Sequence, residues 1–228
     1  MRFSLHGSRV GVFGFVTATA LLASNADGPR AAPRIACAPV SGAKVGALTS
    51  ILSTKVFVAR TNIGAAPCDL AARSQLRTDA RGQAVFKLSR AGRDTRCIVL
   101  PLSSLELSPG PRDQEPVIRF TSGTTWCSTS GGKQGHFAVK SPRGEDIRVK
   151  TGDSSFGVAF GAQTLVKIES SSDPSQEVIV EDSASRNVRR VKRRQQVAVA
   201  STGRIGNPTR AAINAADRVA LAQLRAAP

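Results

Sequence analysis

Between residues 45 and 200, apolar and polar side chains alternate, and this period of two is typical of β-strands with one buried face. Gly, Pro, Ser and Asp interrupt the alternation roughly every 8–12 residues and divide the span into about ten or more short strands. We expect the strand that begins at Val117 to end at a turn formed by Ser122 and Gly123. The predicted strands are residues 56–58, 84–88, 105–107, 117–120, 137–139, 147–149, 156–160, 165–168, 178–180, 188–191 and 197–199. The pattern predicts an all-β sandwich, barrel or β-solenoid.

The N-terminus has the pattern of a secretory signal peptide. Arg2 and Arg9 supply the positive charge, an apolar run follows over 10–23, and Ser24-Asn25-Ala26 offers small residues for cleavage. An uncleaved membrane anchor is the alternative, but the apolar run is about 14 residues, short of the roughly 20 that a spanning helix needs. We therefore predict cleavage after Ala26 and a periplasmic or secreted chain, with no later segment apolar enough to span a membrane.

The chain has four cysteines, Cys37, Cys68, Cys97 and Cys127. An even number of cysteines in an exported chain favours two disulfides, and the absence of close cysteine pairs speaks against a structural zinc site. Four cysteines allow three pairings, among which we favour Cys37–Cys68 and Cys97–Cys127. We predict no metal and no cofactor.

The formal net charge is +16, which points to an anionic partner. The densest basic segment lies in residues 186–194, where we expect Val188 and Val191 to face the core while the cations form a protruding hairpin. A solvated edge strand, protected by charge from aggregation, is the alternative. The candidate anion-binding residues are Arg186, Arg189, Arg190, Lys192, Arg193 and Arg194.

The last part of the chain changes in character after Gly203. Asn207 can cap a helix, Pro208 suits its first turn, and the Ala-rich residues 209–226 favour helix. The apolar stripe is thin, so we expect a loosely attached or partner-binding helical tail, with packing of the helix on the β-domain as the alternative. The predicted organisation is a signal peptide (1–26), a flexible Pro- and Ala-rich lead-in (27–44), a β-domain (45–202) and a helical tail (203–228).

No residue set indicates catalysis. His136 is the one histidine outside the predicted signal peptide. The sequence has no Gly-x-Ser-x-Gly motif that would supply a serine nucleophile for it, so we expect His136 at a turn or on the surface. A Cys127–His136 pair is conceivable, but an exported cysteine is more often bridged. We expect Trp126, next to Cys127, to pack in the core against a disulfide rather than to stack on a carbohydrate.

Six segments between residues 45 and 200 form an ordered series of motifs: Val56-Phe57-Val58, Leu76-Arg77-Thr78 with Gly82 and the strand at 84–88, Leu100 to Leu107 with Ser103-Ser104, the stretch from Phe137 to Gly144, the stretch from Thr151 to Val158, and Gln196-Val197-Ala198-Val199. In order and spacing, this series resembles the motifs of the FecR domain, the periplasmic module of iron-citrate sensor regulators. The departures are Ser141, where the family has Thr, Thr54, in the neighbourhood of a family glycine, and Lys150-Thr151-Gly152-Asp153, where the family has Arg-Gly-Thr before a Phe strand.

The resemblance implies an all-β, solenoid-like domain that binds a protein or another ligand and has no catalytic residues. Full-length members also carry a cytoplasmic anti-sigma segment and a membrane helix. This chain resembles the extracytoplasmic module alone, so signal transfer across a membrane by this chain is not expected.

Three functions follow as hypotheses. The first is an exported, non-catalytic binding or scaffold domain that engages a protein or an anionic envelope polymer in a signalling or structural role. The second is a basic nucleic-acid-binding protein, although aromatic residues for base stacking are missing from the basic segment. The third, a small secreted hydrolase, has no motif to support it.

Overall fold

The computed structural model describes residues 37, 44–52, 56–58, 60–63, 66–90, 93–108, 117–130, 135–140, 146–171, 178–182 and 186–226. Within these residues the chain forms 17 β-strands and one C-terminal α-helix, which confirms the predicted all-β class with a helix at the end. The predicted signal peptide (1–26) and most of the predicted lead-in (27–44) lie outside the described residues.

The strands follow one another with short connections, and every strand predicted from the alternation is present. The elements in chain order are β1 (Lys44–Ile51), β2 (Val56–Val58), β3 (Thr61–Ile63), β4 (Cys68–Ala71), β5 (Ser74–Thr78), β6 (Ala84–Arg90), β7 (Arg93–Val99), β8 (Ser104–Ser108), β9 (Val117–Ser130), β10 (Gly135–Lys140), β11 (Asp146–Thr151), β12 (Ser154–Phe160), β13 (Thr164–Ser171), β14 (Val178–Asp182), β15 (Val188–Val191), β16 (Gln195–Val199), β17 (Thr209–Arg210) and α1 (Ala215–Ala226).

The strands build two facing sheets that share one strand. Sheet A has the order β4-β1-β6-β7-β9-β12-β13-β16-β17. Sheet B has the order β3-β2-β5-β8-β9-β10-β11-β14-β15. Among the described strands all pairings are antiparallel except β9 with β10. From β5 onward the chain alternates between the sheets, mostly one hairpin at a time, so both sheets grow together along the sequence.

Strand β9 belongs to both sheets. Its first part pairs with β8 and β10 in sheet B, and its second part, from Gly123, pairs with β7 and β12 in sheet A. The prediction that this strand ends at Ser122-Gly123 is therefore wrong. Gly123 has a φ of +80°, and a Cβ there would overlap Ser103, so the glycine bends the strand without ending it.

The core lies between the sheets and is built from both. Leu48, Phe86 and Val166 come from sheet A, and Leu105 and Val149 come from sheet B; all are at most 1% exposed. The aromatic pair Phe137 and Phe156 joins the two sheets, with ring centroids 5.2 Å apart. These contacts make the architecture a β-sandwich, which is one of the alternatives that the alternation predicted.

Two disulfides form, and their pairing is the one we favoured among the three. Cys97 and Cys127 lie directly opposite each other on β7 and β9. Cys37 is bonded to Cys68 on the edge strand β4, and its N–H donates to Asp69 O at 3.0 Å. The disulfides span 31 and 30 residues. Closing a loop of that length contributes roughly 3–4 kcal/mol. Disulfides of this kind are typical of an oxidising compartment.

Helix α1 begins later than predicted. Asn214, not Asn207, caps it: Asn214 Oδ1 accepts from Asp217 N at 2.7 Å, and Asp217 Oδ2 accepts from Asn214 N at 3.2 Å. Thr209 and Arg210 instead form β17, because their backbone pairs with Gln195–Gln196 at the edge of sheet A. Pairing at this edge outweighs the local helix preference of these residues.

The prediction of a loosely attached helix is also wrong, because α1 packs on the outer face of sheet A. Its buried residues Ala220, Leu221 and Leu224 form a second apolar cluster with residues of β6, β7 and β9 and of the turn after β7. The sheet residues in this cluster are Val85, Ile98, Leu100 and Trp126. A thin apolar stripe suffices here, since the sheet supplies most of the apolar surface.

A buried polar cluster holds the start of α1 on the sheet. Asp217 accepts from Trp126 Nε1 at 2.8 Å through one carboxylate oxygen and from Lys167 Nζ at 3.0 Å through the other. Lys167 also donates to Ala212 O at 3.0 Å. Both charged residues are buried, and each finds its partners inside the cluster.

Trp126 is buried, as predicted, but its packing partners differ from the predicted ones. Successive residues of a strand point to opposite faces, so Cys127 faces the core while Trp126 faces α1. The indole also lies directly over Gly157 on β12, where a Cβ would meet the ring at 2.6 Å. Trp126 therefore fixes the helix rather than the disulfide.

We expect Asp217→Ala to destabilise the domain by about 3–5 kcal/mol, because it leaves the Lys167 ammonium buried without its carboxylate. Urea unfolding measures the change. Arg218→Ala, at the next and exposed position, is the matched control and should change the stability by less than about 0.5 kcal/mol. Equal effects of the two substitutions would contradict the role of the buried pair.

Gly157→Ala should displace the Trp126 indole and destabilise the domain by about 1–3 kcal/mol, since the added Cβ has no room beside the ring. The tryptophan fluorescence spectrum should shift to longer wavelength as α1 loosens. At Gly161 the nearest atom to an added Cβ is 3.9 Å away, so Gly161→Ala serves as the control. An unchanged emission spectrum of the Gly157→Ala variant would contradict the close contact between Gly157 and the Trp126 indole.

Candidate anion-binding surface

The basic segment 186–194 lies at one end of the sandwich and spans both sheets. Its first part is the connection into β15, which forms a hairpin with β14 at the edge of sheet B. Its last part is the turn at Lys192–Arg194, which leads from β15 in sheet B to β16 in sheet A. The segment is therefore an edge strand followed by a turn between sheets, and not the predicted single hairpin.

The two valines of β15 face opposite sides, contrary to the prediction that both face the core. Val191 is fully buried, whereas Val188 is 41% exposed. They are three residues apart, and in a strand an odd separation places two side chains on opposite faces. Arg189 therefore lies on the side of Val191, and Arg190 shares the outer face of sheet B with Val188.

Arg189 is the most enclosed of the six predicted cations. Its Nη1 donates to Val188 O at 3.0 Å, and its Nε is buried without a hydrogen-bond partner among the described residues. The side chain folds back on its own strand, so it adds positive charge but offers fewer donors to a ligand than its neighbours do.

The turn after β15 presents three exposed cations, Lys192, Arg193 and Arg194. The backbone of the turn is fixed: Gln195 N donates to Lys192 O at 3.0 Å, and Lys192 N donates to Gln195 Oε1 at 2.9 Å. Arg194 has a φ of +61°, and its N–H donates to Ile168 O at 2.8 Å. The three cations are thus held on a defined turn.

Arg186, the sixth predicted residue, lies at the opposite end of β15, in the β14–β15 connection. Its N–H donates to Asp182 Oδ1 at 2.9 Å, and Asn187 Nδ2 donates to Asp182 Oδ2 at 2.8 Å. Asp182 therefore closes this connection through its side chain, and Arg186 itself is exposed.

Three further cations join this end of the molecule, and sequence reasoning missed them. Arg148 and Lys150 lie on β11, next to β14, and both bind the buried Glu181, at 3.1 and 2.9 Å. Arg210 is exposed on β17, paired with Gln195. The alternation Ile147-Arg148-Val149-Lys150 does place both cations on the outer face, but only the sheet order shows that this face continues into β15.

We call these nine residues together the cationic surface: Arg148, Lys150, Arg186, Arg189, Arg190, Lys192, Arg193, Arg194 and Arg210. Glu181 is the carboxylate bound to two of them. Guanidinium groups bind carboxylates and phosphates through paired hydrogen bonds, and a dense set of like charges attracts anions over a distance of about one Debye length. The surface can therefore hold an anionic ligand.

Two other side chains singled out in the sequence as candidates for catalysis are Cys127 and His136. Cys127 is bonded to Cys97, so its thiol is not available as a nucleophile. His136 lies on β10 opposite Lys150, but its side chain is outside the described part of the structure. The described residues include no group of three or more His, Cys, Asp or Glu that could hold a metal ion. They also include no helix that is long and apolar enough to cross a membrane.

Comparison with known proteins gives limited similarity. No family model matches the chain, and no curated protein matches it. Two crystal structures of a proposed anti-sigma factor from Parabacteroides distasonis are similar to it, each with 15% sequence identity and a TM-score of 0.43. The match covers 60% of this chain and 59% of that protein's chain. At this identity and TM-score, the match assigns neither a family nor an activity to this chain.

Proposed function

We propose that this chain is an exported, non-catalytic binding domain that engages an anionic partner through the cationic surface, in a signalling or structural role. The partner is a protein or an envelope polymer with carboxylates or phosphates. The observation that carries the proposal is the convergence of β11, β15, β17 and the turn at Lys192–Arg194, which gathers cations from three separate parts of the sequence at one end of the sandwich.

The resemblance to the FecR domain supports a binding role. The resembling segments that lie in the described residues fall on or beside successive strands, for example Val56–Val58 as β2 and residues 196–199 within β16. In that family the module binds a partner and performs no chemistry. The sandwich offers the same kind of rigid support for a surface built on strand edges and turns.

Export is supported by the two disulfides together with the predicted signal peptide. An oxidising compartment keeps both bridges closed. Outside the cytoplasm, the anionic partners available to a basic domain are mainly proteins, lipid headgroups and envelope polymers rather than nucleic acid.

Mass spectrometry of the protein from its native host tests export. We expect an N-terminus at Asp27 and a mass lower than that of the reduced chain by four hydrogens, because two disulfides are formed. A full-length chain with four free thiols would contradict export and would make nucleic acid the first partner to test.

The double substitution Lys192→Gln and Arg193→Gln should weaken binding of the mature domain to polyglutamate and to polyphosphate. Each exposed ion pair contributes up to about 1 kcal/mol, so we expect roughly a threefold to tenfold loss of affinity. The salt dependence of binding should also become shallower, because fewer counterions are released. Isothermal titration calorimetry at two salt concentrations measures both effects.

The matched control is Arg204→Gln with Arg218→Gln, which removes the same charge from two exposed positions outside the cationic surface. Binding through the cationic surface predicts that the control keeps most of the affinity. An equal loss in both double variants would mean that net charge alone drives the binding, and the proposed surface would have no special role.

A further inference from the structure

Residues of β11, β14 and β15 form two cross-strand rows on the outer face of sheet B. The register aligns Arg148 with Glu181 and Glu181 with Val188 in the first row. It aligns Lys150 with Ile179 and Ile179 with Arg190 in the second row. Their neighbours along each strand, Val149, Val180 and Val191 among them, are buried in the core, which places the row residues on the outer face.

The rows combine charge with apolar surface. In the second row, Ile179 lies between two cations whose strands are separated by two strand spacings, or about 10 Å. In the first row, Val188 is 41% exposed at the edge of the sheet, next to the buried Glu181. Among the described side chains of these rows, three cations and one carboxylate give a net positive charge, with aliphatic side chains among the charges.

We propose that the partner at the cationic surface is a protein, and that it places on these rows an acidic segment in which an aliphatic side chain lies between carboxylates. The carboxylates would bind Lys150 and Arg190, and the aliphatic side chain would cover Val188 and Ile179. This inference rests on the proposed function and narrows it from any anionic partner to one chemical class.

The apolar part of the face distinguishes this ligand from an envelope polymer. Phosphate and uronate polymers supply charge but no aliphatic side chains, so they would leave Val188 exposed to water. An acidic protein segment matches both the positive charge and the apolar surface of the rows, because carboxylates and aliphatic groups can alternate along a polypeptide. Hydrophobic area that is covered on binding adds affinity that salt does not screen.

The substitution Val188→Thr tests the inference, because Thr keeps the branched shape and the strand preference but replaces a methyl group with a hydroxyl. The probes are a synthetic peptide of alternating Glu and Leu, and inorganic polyphosphate, each titrated into the mature, disulfide-bonded domain. We expect about a threefold to tenfold loss of affinity for the peptide and no change for polyphosphate. Val219→Thr is the control, since Val219 is 53% exposed on α1, away from sheet B.

The outcomes separate this inference from the proposed function. If Lys192→Gln with Arg193→Gln weakens binding but Val188→Thr leaves the peptide affinity unchanged, the inference is wrong and the proposed function stands. If polyphosphate binds more tightly than the peptide and Val188→Thr has no effect, a phosphate polymer is the better ligand and the inference is overturned. If neither probe binds the unaltered domain more tightly than it binds the variant with Lys192→Gln and Arg193→Gln, the proposed function fails as well.

Discussion

Strand β9 is the constraint on which the rest of the structure depends, because it is the strand that both sheets share. Its first half pairs in sheet B and its second half in sheet A, with the bend at Gly123 between them. In the second half, Cys127 faces the core and is bonded to Cys97, while Trp126 faces outward and binds α1. One strand thus fixes the pairing of the sheets, a disulfide and the position of the helix.

The position of α1 determines which faces of the sandwich remain for a partner. The helix covers the apolar cluster around Trp126 on sheet A and is held there by the buried pair of Lys167 and Asp217. Desolvating two charges is costly, so this pair fixes the geometry of the helix more than it adds net stability. The outer face of sheet B at β11, β14 and β15 instead carries the exposed Arg190 and the half-buried Arg148 and Lys150. We assign this face, together with the turn at Lys192–Arg194, to binding.

The sequence predicted the strands because alternation is a local property, whereas the errors arose where distant segments meet. The Ser122-Gly123 pair has the composition of a turn, but Ser103 packs against the glycine and the strand continues. Asn207 has the composition of a helix cap, but the following residues pair with β16. Arg148 and Lys150 could not be joined to the basic segment before the sheet order was known. The opposite orientation of Val188 and Val191, in contrast, could be predicted from the sequence alone. Two strand residues that are three positions apart lie on opposite faces of the sheet.

The central claim is that an anionic partner binds the cationic surface. The most direct measurement is an amide chemical-shift map of the isotope-labelled mature domain during titration with polyglutamate. The account predicts that the largest shifts fall in residues 186–194 and on β11 around Arg148 and Lys150. Shifts confined to α1 and the outer face of sheet A, or spread evenly over exposed cations such as Arg204 and Arg218, would contradict it.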